Sequence, residues 1–393
     1  MRLPESVEYI LDELESHGHR ADIVGGPVRD FLLGKTPNDY DITTSASPEE
    51  TKRVFSHLRT VDTGIEHGTV SVMLDGVQYE VTTYRIDGEY KDSRHPESVT
   101  FTKDICEDLR RRDFTMNAIA YSPRHGITDP YGGREDTASG IIRAVGEAHL
   151  RFTEDALRIL RGVRFAATLG FEVEDNTRAA MLRTRHLLKN ISVERIYVEL
   201  KKMISGAYSY DIYSDFSEVI LEVIPELSGL TLPEKTLYES ADYTSRLIAL
   251  FYLNSDTPKE RFDEAMRRLH TDSHIRELGT KVIPSIRLAD TSSDRGLTHL
   301  LRDLGEECAR ALVNVRILLG LSDSDTASRL TALLASGVVY RLSDLAIDGR
   351  VLIALGAKGR QVGDILNRIL DSVIDCNIKN EREALISAAS KYL

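Results

Sequence analysis

Near Gly140 the hydrophobic period of this chain changes, and that change limits what it can fold into. Before it, short apolar runs are bounded by turn residues in the manner of strands; beyond it, apolar residues recur at helical spacing. Phe152 to Leu169 reads as one strong amphipathic helix, and nearly everything after it is helical. At 393 residues the chain also exceeds the roughly 250–300 at which a single core stops growing, so two or more domains are predicted. An α/β head followed by a long helical remainder meets both conditions.

Within the head, Glu5 to Ser16 is helical in period and Asp22 to Val24 reads as a short buried strand. A turn at Gly25-Gly26 leads into a helix over Val28 to Leu33. Strands are predicted at Tyr40 to Thr43, Thr69 to Leu74 and Tyr79 to Tyr84, the last two forming a hairpin through Asp75-Gly76. Arg85 to Thr102, including Asp87-Gly88-Glu89-Tyr90-Lys91-Asp92, has no apolar period and reads as a mobile loop. Later connections fall at Ile224-Pro225, Thr231-Leu232-Pro233 and Asp256-Thr257-Pro258. No fixed-period repeat or low-complexity segment interrupts the helical part.

Composition excludes several classes. Hydrophobic residues at 41% and charged residues at 28% are ordinary for a soluble globular protein. No apolar run approaches the roughly 20 residues of a membrane span, and Met1-Arg2-Leu3-Pro4-Glu5 does not open a secretory signal, so a cytoplasmic location is expected. Cys106, Cys308 and Cys376 are too scattered for a zinc or disulfide pattern. The net charge of -12 opposes nucleic-acid binding, yet Arg110, Arg111 and Arg112 are consecutive and Arg158, Arg161 and Arg164 recur at helical spacing. Such stripes give an acidic protein local basic surfaces. No His-Asp dipeptide occurs, which removes the simplest signature of an appended metal phosphohydrolase.

The chemistry is concentrated in the head. Asp39 and Asp41 stand two positions apart, so on an extended strand their carboxylates share a face. Hard oxygens of this kind suit Mg²⁺, which completes its shell with water and substrate phosphates. Gly25 and Gly26 let backbone N–H groups approach a phosphate, and Arg29 adds donors. Glu80, on the second arm of the hairpin, is a third acid that could face the pair. Together these features suggest a nucleotidyl transferase.

A second constellation follows the period change. Asp155, Arg158 and Arg161 at i, i+3 and i+6 form one polar stripe of the predicted helix. An acceptor beside a set of donors matches the edge of cytosine and of adenine, while uracil and guanine present the reverse order. A mismatched base leaves polar groups unpaired at about 1–3 kcal/mol each.

The motifs run in order: Gly25-Gly26-Pro27-Val28-Arg29-Asp30 with Asp39-Tyr40-Asp41, Arg111-Arg112-Asp113-Phe114, Asp129-Pro130-Tyr131-Gly132-Gly133, Glu154-Asp155-Ala156-Leu157-Arg158 and Ser192-Val193-Glu194-Arg195. This order resembles the bacterial class II CCA-adding tRNA nucleotidyltransferases. Leu355-Gly356-Ala357-Lys358-Gly359-Arg360 resembles the family's tail.

The resemblance implies an elongated multi-domain protein: an α+β nucleotidyltransferase head with a mixed sheet (1–139), then an all-α neck (140–205), body (206–335) and tail (336–393). It implies addition of C, C and A to the 3′ end of tRNA from CTP and ATP, releasing pyrophosphate, with Mg²⁺ on Asp39 and Asp41. Gly25, Gly26, Arg29 and Arg112 would hold the nucleotide, Asp155 and Arg158 would select the base, and Arg161 and Arg164 would support them. Arg183, Arg185, Lys189, Lys201, Lys202, Lys358 and Arg360 are the implied tRNA contacts. The retained loop after the hairpin favours A addition, and the chain ending at Leu393 lacks the basic extension of related poly(A) polymerases. The alternatives are an enzyme adding only A, a poly(A) polymerase, or a silent RNA-binding relative; intact Asp39, Asp41 and Arg29 oppose the last.

Overall fold

A computed structural model describes residues 1–65, 68–88 and 98–393. The chain forms two compact units, Met1–Ile224 and Pro225–Leu393.

The first unit is built on a mixed sheet. Its strands are β1 (Ala21–Val24), β2 (Ile42–Thr44), β3 (Arg59–Gly64), β4 (Thr69–Leu74) and β5 (Val77–Thr83); a separate ribbon pairs β6 (Arg85–Asp87) with β7 (Val99–Phe101); β8 (Ala120–Ser122) and β9 (Gly126–Thr128) return to the sheet. The order is β3-β4-β5-β2-β1-β8-β9, with β2 and β5 parallel and the other neighbours antiparallel. The predicted hairpin forms, and Asp75 (φ 51°) and Gly76 (φ 78°) carry the paired positive dihedrals of a tight β-turn.

The chain around this sheet supplies helices α1 (Glu5–Ser16), α2 (Gly26–Leu32), α3 (Pro48–Val54), α4 (Ile105–Arg110), α5 (Gly133–Ser139), α6 (Ala148–Glu154), α7 (Leu157–Leu169), α8 (Asp175–Thr184) and α9 (Val193–Ser205). Strand β1 lies inside the sheet between β2 and β8, and its alternation feeds two cores. Ile23 joins Ile10, Leu11 and Leu14 of α1, whereas Val24 points the opposite way, to Tyr84, Ile105 and Leu109. That double burial fixes the start of the glycine turn that follows.

Three sequence expectations are corrected. The strand expected over Tyr40 to Thr43 begins at Ile42, so Asp39 and Asp41 lie on the segment leading into it; the Asp41 carbonyl still accepts the Val24 N–H at 3.0 Å. The helix expected over Phe152 to Leu169 is broken: Asp155, at φ -139° and ψ 102°, separates α6 from α7. Periodicity misses this break because apolar residues on both sides keep the register. The ends of the expected loop over Arg85 to Thr102 are strands, β6 and β7, paired from Arg85↔Phe101 to Asp87↔Val99. Residues 89–97, the centre of that loop, lie outside the described residues.

The second unit is helical. Tyr243–Leu253, Pro258–Arg268, Ser273–Val282 and Asp294–Leu318 are among its helices, and Leu345, Ile347, Leu352, Ile365, Ile369, Leu370 and Leu385 form a separate core toward its C-terminal end. None of the described helices is long and apolar enough to cross a membrane.

Candidate active site

At the end of β1 the backbone turns at Gly25, with φ 78° and ψ -125°, a conformation that L side chains rarely adopt. Its N–H donates to the Ile119 carbonyl at 3.0 Å, and a Cβ there would stand 3.1 Å from Arg112 Nη1. The turn therefore lies directly against a guanidinium. Arg29, one helical turn on, is 8% exposed: Nε and Nη2 donate to Asp30 and Nη1 donates to Asn117 Oδ1 at 2.8 Å. It is a charge held beside the turn, with donors of its guanidinium already engaged by Asp30 and Asn117.

Asp39, Asp41 and Glu80 are exposed residues on neighbouring parts of the head. Surrounding protein desolvates Asp41 and raises its carboxyl above the ordinary value; Arg112 and Arg161 oppose the rise, and the charges of Asp39 and Glu80 add to it. One local field thus joins the three acids to an arginine of the head and one of α7. Among the described residues no group of three or more His, Cys, Asp or Glu side chains is placed to hold a metal ion, which leaves the two carboxylates of Asp39 and Asp41 as the candidate protein ligands. An open set of carboxylates whose mutual repulsion a cation would relieve fits a hard divalent ion that takes its remaining ligands from water and phosphate.

The arginines are held by acids that the motif reading left unassigned. Asp108 is fully buried and accepts from Arg111 at 2.9 Å and from Arg112 at 3.4 Å; burial alone would raise its carboxyl, but these guanidiniums hold it below the ordinary value. Burial lowers Arg112, whose Nε has no hydrogen-bond partner. A buried orphan donor beside the glycine turn is suited to an anion. Asp113 accepts from Arg161 Nε at 2.8 Å and from Asn117 Nδ2 at 3.1 Å, and Arg164 meets Glu199 at 2.6 Å. Spacing gives a partial signal for these partners: Asp113 and Asn117 stand four apart within the motif containing Arg111 and Arg112, and Glu199 lies four after Arg195 on α9.

Asp155 and Arg158 are close along the chain, but their side chains take different partners. Arg195 grips Asp155 with Nη2 at 2.8 Å and Nη1 at 3.4 Å, while the Leu157 N–H caps Asp155 Oδ1 at 3.1 Å. Arg158 is 8% exposed: Nη1 donates to Glu154 at 2.6 Å and to the Arg151 carbonyl at 3.1 Å, and Nη2 donates to the Arg111 carbonyl at 2.9 Å. The stripe drawn from sequence is thus a step, with Asp155 on the break and Arg158 and Arg161 on the helix.

The implied tRNA contacts are spread over both units. Arg183, Lys189, Lys201 and Lys202 are exposed, although Arg185 pairs with Glu218 at 2.7 Å and Lys189 with Glu222 at 3.0 Å. Lys358 and Arg360 are exposed on the second unit.

Three family models match the chain. Residues 21–143 match the poly A polymerase head domain, 170–228 the probable RNA and SrmB-binding site of polymerase A, and 241–389 a tRNA nucleotidyltransferase domain 2. The CCA-adding enzyme of Enterococcus faecalis is 36% identical over 97% of this chain and 94% of its own length. That of Lactobacillus helveticus is 37% identical, covering 98% and 95%.

The chain belongs to the CCA-adding enzyme family.

The crystal structure of the Bacillus stearothermophilus CCA-adding enzyme in complex with CTP superposes with a TM-score of 0.81 at 32% identity, covering 100% of this chain and 98% of the other. As a member of the CCA-adding family, this chain is a nucleotidyltransferase.

Proposed function

We propose that this protein adds C, C and A to the 3′ end of tRNA from CTP and ATP without a nucleic-acid template, releasing pyrophosphate. The observation that carries this reading is the placement of Asp41 beside Glu80, where Ile42 of β2 pairs with Val81 of β5, with Arg112 set against the glycine turn and opposing the carboxylate charge. The curated relatives named above are CCA-adding enzymes, and the similar crystal structure holds CTP.

Asp39 and Asp41 would hold Mg²⁺, with Glu80 adding negative charge beside them. When bound, the cation lowers the cost of charge on the attacking 3′ oxygen, the α-phosphate and the leaving pyrophosphate. The Gly25-Gly26 turn presents backbone N–H groups to the triphosphate, Arg112 offers its unpaired Nε–H, and Arg29 supplies fixed positive charge from below. Asp155 accepts from the exocyclic amine of C or A while Arg158 donates to the adjacent ring nitrogen. U and G leave both groups facing like partners and are rejected. Arg161 and Arg164 stabilise the nucleotide from the same helix. Arg183, Arg185, Lys189, Lys201, Lys202, Lys358 and Arg360 supply the phosphate contacts to tRNA.

Purified protein is incubated with Mg²⁺, tRNA truncated before CCA, and each nucleotide singly or together. Incorporation of C, C and then A supports the reading. A alone on tRNA ending in CC indicates an A-adding enzyme, long A tracts indicate a poly(A) polymerase, and no incorporation overturns catalysis. Asp39→Ala and Asp41→Ala should each lower turnover at least about a hundredfold. Asp155→Ala with Arg158→Ala should admit U and G while leaving metal binding intact; unchanged selectivity sinks the base-selection assignment.

A further inference from the structure

Phe165 lies on α7 and is only 4% exposed, yet its surroundings are ionic. The guanidinium carbons of Arg164, Arg29 and Arg161 stand 3.6, 5.2 and 5.6 Å from the centre of its ring. Phe114 packs edge-on against the same ring, with centres 5.9 Å apart and planes at 87°. Arg29 belongs to α2 of the head, beneath the glycine turn, whereas Arg161 and Arg164 belong to α7.

Hydrogen bonds already link the two sides by one route. Arg29 Nη1 donates to Asn117 Oδ1 at 2.8 Å, Asn117 Nδ2 donates to Asp113 Oδ1 at 3.1 Å, and Arg161 Nε donates to Asp113 Oδ2 at 2.8 Å. The ring of Phe165 completes a second route from Arg29 to Arg161. Asp30 pairs with Arg29 and Glu199 with Arg161 and Arg164, each on one side of the ring, whereas Asp113 accepts from both Asn117 and Arg161 and is the acid of the first route. An aromatic face attracts guanidinium groups in a desolvated site; an aliphatic side chain of similar size fills the space without that attraction.

We propose that Phe165 is a positioning residue for nucleotide binding, its ring setting the separation between Arg29 under the phosphate-binding turn and the arginines of the base-selecting helix. At 4% exposure it acts through these arginines, not as a ligand contact. The inference rests on the proposed roles of Arg29 and Arg161 and adds the element that spaces them. CTP and ATP carry the same triphosphate, so the loss of this spacing falls on both alike and leaves base choice intact.

The test uses the full chain with Phe165→Met, Phe165→Tyr, Arg29→Ala and the double variant Phe165→Met/Arg29→Ala. For each, KM and kcat are measured with CTP and with ATP, alongside the melting temperature. Phe165→Met should raise both KM values together by about tenfold with little change in kcat, while Phe165→Tyr, which keeps the ring, stays near the parent. The double variant should lose less than the sum of the two single losses, because part of the ring's effect acts through Arg29. A folded Phe165→Met with parental KM, an effect confined to one nucleotide, or additive losses in the double variant would each overturn the inference. Should the methionine variant melt early, Phe165→Leu replaces it under the same criteria. If Arg29→Ala itself leaves both KM values unchanged, the assignment of Arg29 to the triphosphate fails; if it raises them and the folded Phe165 variant does not, only the role of Phe165 fails.

Discussion

Arg195 Nη2 donates to Asp155 Oδ2 at 2.8 Å and so fastens α9 to the break between α6 and α7. The acid proposed to read the base is thereby oriented by a residue 40 positions away along the chain. Both groups are partly shielded, at 28% and 17% side-chain exposure, and the contact is two-pronged, which makes it stronger than an ordinary surface pair. Arg195→Ala should reduce discrimination of C and A against U and G by about tenfold, less than loss of Asp155 itself. Single-nucleotide incorporation by the parent, Arg195→Ala and Asp155→Ala provides the comparison, and undiminished discrimination in Arg195→Ala would refute the orienting role.

Gly25→Ala tests the turn. Alanine at φ 78° and ψ -125° is strained, and its methyl group would press on Arg112 Nη1 at 3.1 Å. A cost of about 1–3 kcal/mol in stability is expected, with a rise in KM for CTP and ATP alike. Thermal denaturation and initial rates check both, and a variant matching the parent in each would show that the turn tolerates a side chain.

Acid sensitivity should run through Asp113. Burial alone would raise this carboxyl, but the Arg161 charge together with hydrogen bonds from Asn117, Arg161 and the Phe114 N–H holds it far below the ordinary value. A depressed folded-state value stabilises the fold above the unfolded value of about 3.9, and that contribution is lost as pH falls below it. Urea denaturation between pH 7 and pH 3 should show the parent losing stability below about pH 4. Asp113→Asn should start about 3 kcal/mol lower at pH 7, because Arg161 keeps only its longer contact with Glu199 at 3.9 Å, and should lose less on acidification. Equal acid slopes would place the sensitivity elsewhere.

Legibility in the sequence followed the range of the interactions. Helix α1 and the Asp75-Gly76 hairpin turn were readable because neighbouring residues decide them: apolar spacing for one, tolerance of positive φ for the other. The glycine turn and Asp39-Tyr40-Asp41 were likewise visible, as was the change of period that separates sheet from helices. The break at Asp155 was not, because an amphipathic pattern continues across one extended residue without losing its phase.

The sequence by itself determined the inventory of charges and their order along the chain. Tertiary structure decided their pairing: Asp155 with Arg195 rather than Arg158, Arg158 with Glu154 and backbone carbonyls, and Arg29 with Asn117, 88 positions away. Periodicity records which face a residue occupies, whereas an ion pair forms with whichever opposite charge the fold brings within about 3 Å in a desolvated setting.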